Sequence, residues 1–166
     1  MEWNEFVENV QRWARERGIY EHSTALMQLY KSVSEYGELV DGLAKQDKMG
    51  TKDGIGDVAV TLVNVATMLN INLKDTGQSW IECRTSRLIY SLHVSLGRLM
   101  DEFTKLGDVS TATIEAAFGA SIYALQGIAH NEGLSFGRCL QVAWDAIKHR
   151  EGKMVPGGVF VKEGEK

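Results

Sequence analysis

The chain has 166 residues and a formal net charge of −4 at pH 7, so it can bury its own core and has no overall basic field that would favour nucleic acid. No apolar run reaches the roughly 18 residues of a membrane span, and the first residues lack the basic and apolar regions of a signal peptide. The two cysteines, Cys83 and Cys139, form no CxxC motif and have no metal-ligand spacing to a histidine. We therefore predict one cytoplasmic domain with reduced thiols and with neither nucleic-acid nor membrane partners.

Helical periodicity dominates the sequence, which contains a single proline, so we predict an all-α fold. The first helix is predicted over about residues 4–17 and ends at Gly18. The second begins after Ser23 or Thr24, either of which can cap it. Its apolar stripe, predicted to face the core, consists of Leu26, Leu29, Tyr30, Val33, Gly37, Val40 and Ala44.

A third helix is predicted over about residues 52–69, and because it is apolar nearly all round we expect it to be central. Gly54 and Gly56 should each weaken it by about 1 kcal/mol relative to alanine, which suggests that a neighbouring helix or a ligand approaches closely. Asp53 is an alternative cap for this helix.

The middle of the chain looks like a faded copy of the part before it. Residues 94–99 align with residues 34–39, and residues 118–129 align with residues 55–66. The glycines and the apolar pattern persist, but Glu35, Glu38 and Asp57 correspond to Ser95, Arg98 and Ala120. A duplication would give two helical hairpins that pack as an internal pseudo-dimer with a four-helix core, whereas the alternative is chance similarity between helices. A closing helix over about residues 136–150 and a short hairpin or extended tail complete the prediction.

Two acidic pairs carry the chemical signal. Glu35 and Glu38 are three residues apart, and Asp53 and Asp57 are four apart, so each pair shares one face of its helix. Four carboxylates from two packed helices form a hard, oxygen-rich site suited to Mg²⁺ or Mn²⁺ and a polyphosphate. A di-iron carboxylate bundle is disfavoured, because no histidine has a glutamate three residues before it.

The pattern Glu35-x-x-Glu38, followed by Gly56-Asp57 at the start of an apolar helix that carries Asn64, resembles the MazG family of all-α nucleoside triphosphate pyrophosphohydrolases. The segments over residues 13–19 and 147–162 are similar to the short MazG-like proteins common in phages, and the resemblance covers roughly residues 1–73 and 137–163. The family commonly has an acid three residues before its last aspartate. Gly54 occupies that position here, and the acid is Asp53, four residues before Asp57.

The resemblance implies that a (d)NTP and water are converted to a (d)NMP and pyrophosphate with Mg²⁺ or Mn²⁺. We predict Glu35, Glu38 and Asp57 as metal ligands, and Asp53 as a fourth ligand or as the group that orients and deprotonates the water. The predicted phosphate clamps are Lys31, Lys52 and either Arg150 or Lys153. The predicted contacts to sugar or base are His22, Gln28, Trp13 and Asn64.

These predictions divide a single MazG-like domain into a metal-binding half, a degenerate repeat and a closing segment, at residues 1–73, 80–135 and 136–166. One chain could supply both halves of the core, so we expect a monomer that acts as a pseudo-dimer, or else a homodimer. The expected location is cytoplasmic, in the host cell if the protein is phage-encoded. The alternative function is a non-catalytic or degenerate helical module for nucleotide binding or protein interaction.

Overall fold

The computed structural model describes residues 1–74, 82–104 and 110–162. Within these residues the prediction of an all-α fold with a short extended tail is confirmed. The elements are α1 (Trp3–Glu16), α2 (Ile19–His22), α3 (Ala25–Ala44), α4 (Lys48–Met68), α5 (Thr85–Thr104), α6 (Thr111–Asn131), α7 (Phe136–Ile147), β1 (Gly152–Val155) and β2 (Val159–Lys162). No described helix is both long and apolar enough to cross a membrane.

Capping residues set the helix boundaries. The Thr24 side chain caps α3 by accepting a hydrogen bond from the Met27 backbone N–H at 3.2 Å, as one of the two predicted caps. The predicted start of α4 was four residues too late, because Asp47 caps this helix and accepts from the Met49 N–H at 2.9 Å. Asp53 therefore lies inside α4, and the alternative of Asp53 as a cap is wrong.

The predicted buried face of α3 was correct at Leu29 but wrong at other positions. Tyr30 and Val33, both in the predicted core stripe, are 50% and 44% exposed. The helix instead buries the face that carries Leu29, Ser32, Glu35, Leu39 and Gly42. This face contains small residues, so that α4 can approach closely, and hydrophobicity alone did not reveal it.

Glycines bring α3 and α4 into close contact. A Cβ atom added at Gly54 would lie 2.8 Å from the Leu39 Cα, and one added at Gly42 would lie 2.8 Å from the Thr51 backbone nitrogen. On the other side of α4, a Cβ atom added at Gly56 would lie 2.5 Å from the Cβ of Ala143 on α7. The prediction that Gly54 and Gly56 permit close helix approach is confirmed, and α4 occupies the centre of the fold.

The second helical hairpin packs against the first. The α5–α6 pair packs against the α3–α4 pair, with α5 beside α3 and α6 beside α4. Parts of the proposed repeat, residues 80–81 and 105–109, lie outside the described residues. A common origin of the two hairpins remains a prediction.

The carboxyl-terminal segment forms a small antiparallel hairpin. Met154 lies opposite Phe160, and Lys153 lies opposite Val161. The turn between the strands contains Gly157 and Gly158 with φ angles of +99° and +76°, a region that favours glycine. Met154 packs against the core, so this face of the hairpin closes over the helices.

Candidate active site

A cavity of about 610 Å³ lies between α3 and α4 and is completed by α1, α7 and the hairpin. We call it the acidic cavity, because all four predicted carboxylates line it: Glu35, Glu38, Asp53 and Asp57. Five of the predicted substrate contacts line it as well: Trp13, Gln28, Lys31, Asn64 and Arg150. The structure thus brings most of the predicted site residues to one surface.

The acidic cavity is elongated because it follows two antiparallel helices. Along α4 it extends from Asp53 to Asn64, which is about 16 Å at 1.5 Å per residue. Gln28 on α3 accepts a hydrogen bond from Asn64, so both amides lie at the end away from the carboxylates. We refer to these ends as the acidic end and the amide end.

Glu35 is the most deeply buried of the four acids, with 7% of its surface exposed. Its carboxylate accepts from the Lys31 ammonium group at 2.6 Å, and the Lys31 side chain is 57% exposed. A buried carboxylate without a cation would be strongly destabilising, so Lys31 neutralises Glu35 at the cavity wall. Lys31, which we predicted to bind phosphate, is therefore paired with Glu35, a candidate metal ligand.

Asp57 lies at the electrostatic centre of the acidic end. Burial, together with the negative charges of Glu35 and Asp53, raises its pKa from 3.8 to about 7. Arg150 lowers it, which indicates that its guanidinium group lies near this carboxylate. Asp57 therefore exchanges a proton near neutral pH.

The donor atoms at the acidic end suit a hard divalent cation, but they do not form a closed cage. Among residues 1–74, 82–104 and 110–162, no three His, Cys, Asp or Glu side chains converge closely enough to enclose a metal ion. All four candidate donors are carboxylates, and a divalent cation would offset the mutual repulsion that raises the pKa of Asp57. The residues therefore fit Mg²⁺ or Mn²⁺ by charge and donor type.

A chain of hydrogen bonds orders the amide end. The Tyr20 hydroxyl donates to Asn64 Oδ1 at 3.1 Å, and Asn64 Nδ2 donates to Gln28 Oε1 at 3.3 Å. Gln28 Nε2 in turn donates to Ser23 Oγ at 3.1 Å. Burial raises the pKa of Tyr20, so it remains a neutral donor. Sequence reasoning missed Tyr20 because α2 was not predicted and no spacing rule links it to α4.

Aromatic side chains close the cavity beside α1. Trp13 lies edge-on to Phe160 of β2, with 6.1 Å between the ring centroids, and both residues line the cavity. The Arg17 guanidinium carbon lies 5.4 Å from the Trp13 ring centroid. Arg17 Nε also donates to the Arg150 carbonyl at 2.9 Å, so it joins α1 to the segment after α7. Phe160 and Arg17 lie in the segments that resemble the short MazG-like proteins. The sequence did not indicate their contacts, because these depend on tertiary packing.

Three predicted substrate contacts do not line the acidic cavity. Lys52 lies one residue before Asp53, so it points about 100° away around α4, and its charge acts on Cys139 of α7 instead. Lys153 is exposed on the face of β1 opposite to Met154, which packs inward. The His22 side chain is 62% exposed and borders a different cavity behind the hairpin.

Another cavity, of about 670 Å³, lies near the starts of α1 and α7. Its ionisable lining residues include Glu2 and Arg138, and it contains no pair of carboxylates on one helix face. We therefore place the candidate chemistry in the acidic cavity. Arg98, which replaces an acid in the proposed repeat, is exposed and does not line that cavity.

The chain is similar to an uncharacterized 18.2 kDa protein in the rep–hol intergenic region of Haemophilus phage HP1 (strain HP1c1). The two are 28% identical over 156 residues, and the alignment covers 84% of this chain and 96% of the phage protein. No protein-family model and no solved structure matches the chain. The similarity agrees with the predicted phage-like character and carries no information about activity.

Proposed function

We propose that the chain is a MazG-like, metal-dependent nucleoside triphosphate pyrophosphohydrolase, which converts a (d)NTP and water to a (d)NMP and pyrophosphate. The observation that carries the proposal is the two-ended cavity. One end presents four carboxylates on facing helices, the other presents two ordered amides, and aromatic side chains line the same cavity. A ligand with a highly charged part and a planar polar part matches this division.

The acidic end would hold the polyphosphate through a cation. Glu35, Glu38 and Asp57, with Asp53 as a fourth donor, would hold Mg²⁺ or Mn²⁺. When bound, such an ion offsets phosphate charge and lowers the pKa of a bound water molecule. Arg150 lines the same end and can donate paired hydrogen bonds to phosphate oxygens.

Asp53 and Lys31 suit roles that require access to solvent. Asp53 is exposed at the rim, so its carboxylate can orient a water molecule and accept its proton. Lys31 is held by Glu35 but is more than half exposed, so its ammonium group can turn from Glu35 to a phosphate oxygen. Asp57 must lose its proton to act as a ligand, so a divalent cation would compete with the proton for this carboxylate and would bind more tightly as the pH rises.

The amide end would hold the nucleoside. Tyr20 fixes the orientation of Asn64 by donating to its carbonyl oxygen, so the Asn64 amide group is presented in one orientation together with Gln28. Trp13 and Phe160 provide apolar surface for a planar base. We also propose that the protein acts in the cytoplasm, as a monomer or as a homodimer.

The test is a panel of all ribo- and deoxyribonucleoside triphosphates with Mg²⁺, assayed separately for pyrophosphate and for orthophosphate. We expect pyrophosphate and a monophosphate in equal amounts, and no turnover in EDTA. Orthophosphate release, or full activity in EDTA, would contradict the proposal. Nucleotide binding without turnover would instead support a nucleotide-binding module.

A further inference from the structure

Trp13 contains a buried hydrogen-bond donor without a partner. The residue is 6% exposed, and its indole Nε1 has no acceptor within the described part of the chain. By contrast, the indole of Trp3 donates to the Leu73 carbonyl at 2.7 Å. An unpaired buried donor costs folding free energy, which raises the question of what it serves.

The neighbours of the Trp13 ring cannot satisfy the donor. Phe160 meets the ring with a hydrocarbon surface, and Arg17 over the ring has only donors. The ring forms part of the wall of the acidic cavity, whose lining also includes Gln28 and Asn64. A ligand in this cavity is therefore a possible source of the acceptor.

The hairpin is the part of the wall that can yield most easily. A two-stranded sheet is marginally stable by itself, and this one is held to the helices by the packing of Met154 and Phe160 and by the chain after α7. Behind its turn lies a second cavity of about 510 Å³, the rear cavity, lined by Arg17, His22, Met154 and residues 155–158. Gly158 borders both cavities and packs against the backbone of His22 and Ser23, so the turn separates the acidic cavity from the open volume of the rear cavity.

We infer that Trp13 determines specificity by donating its indole N–H to an acceptor atom of the nucleobase, uncovered when the hairpin shifts toward the rear cavity. This inference rests on the proposed function. The cavity wall on which Trp13 lies also presents Asn64 and Gln28, whose amides can read other polar atoms of the same base. The unpaired donor would thus be held ready for the correct ligand.

The test compares Trp13→Phe, which keeps an aromatic ring but removes the N–H, with Trp144→Phe on α7 as a matched control. Trp144 is half-buried and does not line the acidic cavity. The probes, with Mg²⁺, are the α,β-imido deoxynucleoside triphosphates of the four bases and deoxyribose 5-triphosphate, which lacks a base. Calorimetry measures each Kd.

We expect Trp13→Phe to raise the Kd of the best-bound imido nucleotide about threefold to tenfold, the effect of one hydrogen bond. The Kd of deoxyribose 5-triphosphate should stay the same, and Trp144→Phe should change neither value. Equal weakening of both probes, or no weakening, would overturn the inference while leaving the proposed function intact. Failure of the unsubstituted protein to bind any nucleotide would overturn both.

A spectroscopic readout separates a hydrogen bond from a packing effect. In a ¹⁵N-labelled sample, the indole resonance that Trp13→Phe removes should move downfield when the imido nucleotide binds. It should not move when deoxyribose 5-triphosphate binds. An indole resonance that stays in place with saturating imido nucleotide would overturn the inference.

Discussion

In both the α3–α4 hairpin and the α5–α6 hairpin, residues at aligned positions contact each other across the two helices. In the first, Gln28 accepts a hydrogen bond from Asn64 at 3.3 Å. Asn64 is aligned with Gly127, and when the alignment of residues 34–39 with 94–99 is extended by the same offset, Gln28 corresponds to Leu88 and Lys31 to Ser91. A Cβ atom added at Gly127 would lie 2.8 Å from the Leu88 Cδ1 atom. One hairpin thus uses a polar amide pair where the other packs a leucine against a glycine.

The acidic positions differ in the same way. Glu35 is buried beside its cation Lys31, whereas the aligned Ser95 is 3% exposed and the aligned Ser91 is half-buried. The fold therefore accepts a small neutral residue at this position without a partner, but a carboxylate requires a cation. The difference teaches that a hairpin of this fold can pack without these acids.

The two hairpins also differ in the elements that pack over them. A Cβ atom at Gly56 would collide with α7, whereas no atom of the described residues lies within 4 Å of one at the aligned Gly119. Because α7 lies against α4 at this point, the first hairpin gains the additional walls that enclose the acidic cavity. The second hairpin has no such cover at the corresponding glycine.

The largest expected effect contrasts the acids with their aligned counterparts. Asp57→Asn or Glu38→Gln should lower kcat about a hundredfold or more, because each removes a charged metal ligand. Arg98→Gln, in the second hairpin, should leave kcat within twofold. Pyrophosphate release with the best substrate of the panel measures both, and circular dichroism checks folding. Near-normal kcat in either acid variant would contradict the site assignment.

The second expected effect transfers the buried acid to the other hairpin. Ser95→Glu should lower the free energy of unfolding by about 2–4 kcal/mol, since it buries a carboxylate without a cation. Adding Ser91→Lys should restore part of this loss by reproducing the Lys31–Glu35 pair. Urea unfolding of the single and double variants measures the difference. If the double variant is no more stable than Ser95→Glu alone, the structural equivalence of the two positions fails.

A third prediction concerns pH and the protein in EDTA. The folded pKa of Asp57, about 7, lies above its ordinary 3.8, so the folded state binds this proton more tightly than the unfolded chain does. This stabilisation is complete below about pH 4 and is lost as the pH rises through about 7. Unfolding free energy should therefore fall between pH 5 and 8, by about 1–3 kcal/mol from this group. Asp57→Asn should remove this contribution to the fall of the unfolding free energy with pH. An unchanged pH dependence would contradict the burial of this carboxyl group.

The smallest expected effect compares glycines that occupy equivalent positions. Nothing lies within 4 Å of a Cβ atom added at Gly37 or Gly97, both inside helices. Replacing either with alanine should raise the free energy of unfolding by about 0.5–1 kcal/mol, because alanine loses less backbone entropy on folding. Thermal and urea unfolding measure the change. Gly54→Ala serves as the contrast and should destabilise, since its Cβ would meet the Leu39 backbone.

Local rules allowed much of the helical frame to be predicted from the sequence. The helix periodicity of α1 and α6, the Thr24 cap, the turn at Gly18 and the glycine-rich hairpin turn all depend on neighbouring residues. The shared helix faces of the two acidic pairs depend on helix geometry alone, so their spacing sufficed to predict that each pair projects to one side of its helix.

Tertiary packing decided which helix faces contact each other. Hydrophobicity favoured the stripe with Tyr30 and Val33, yet α3 turns Glu35 inward, because the close approach at Gly54 and Gly42 depends on both helices at once. The hydrogen bond from Tyr20 to Asn64 and the contact of Phe160 with Trp13 join residues far apart in the chain. The sequence by itself determined the chemical groups and their helical spacing, and only packing determined which partners, charges and covers surround them.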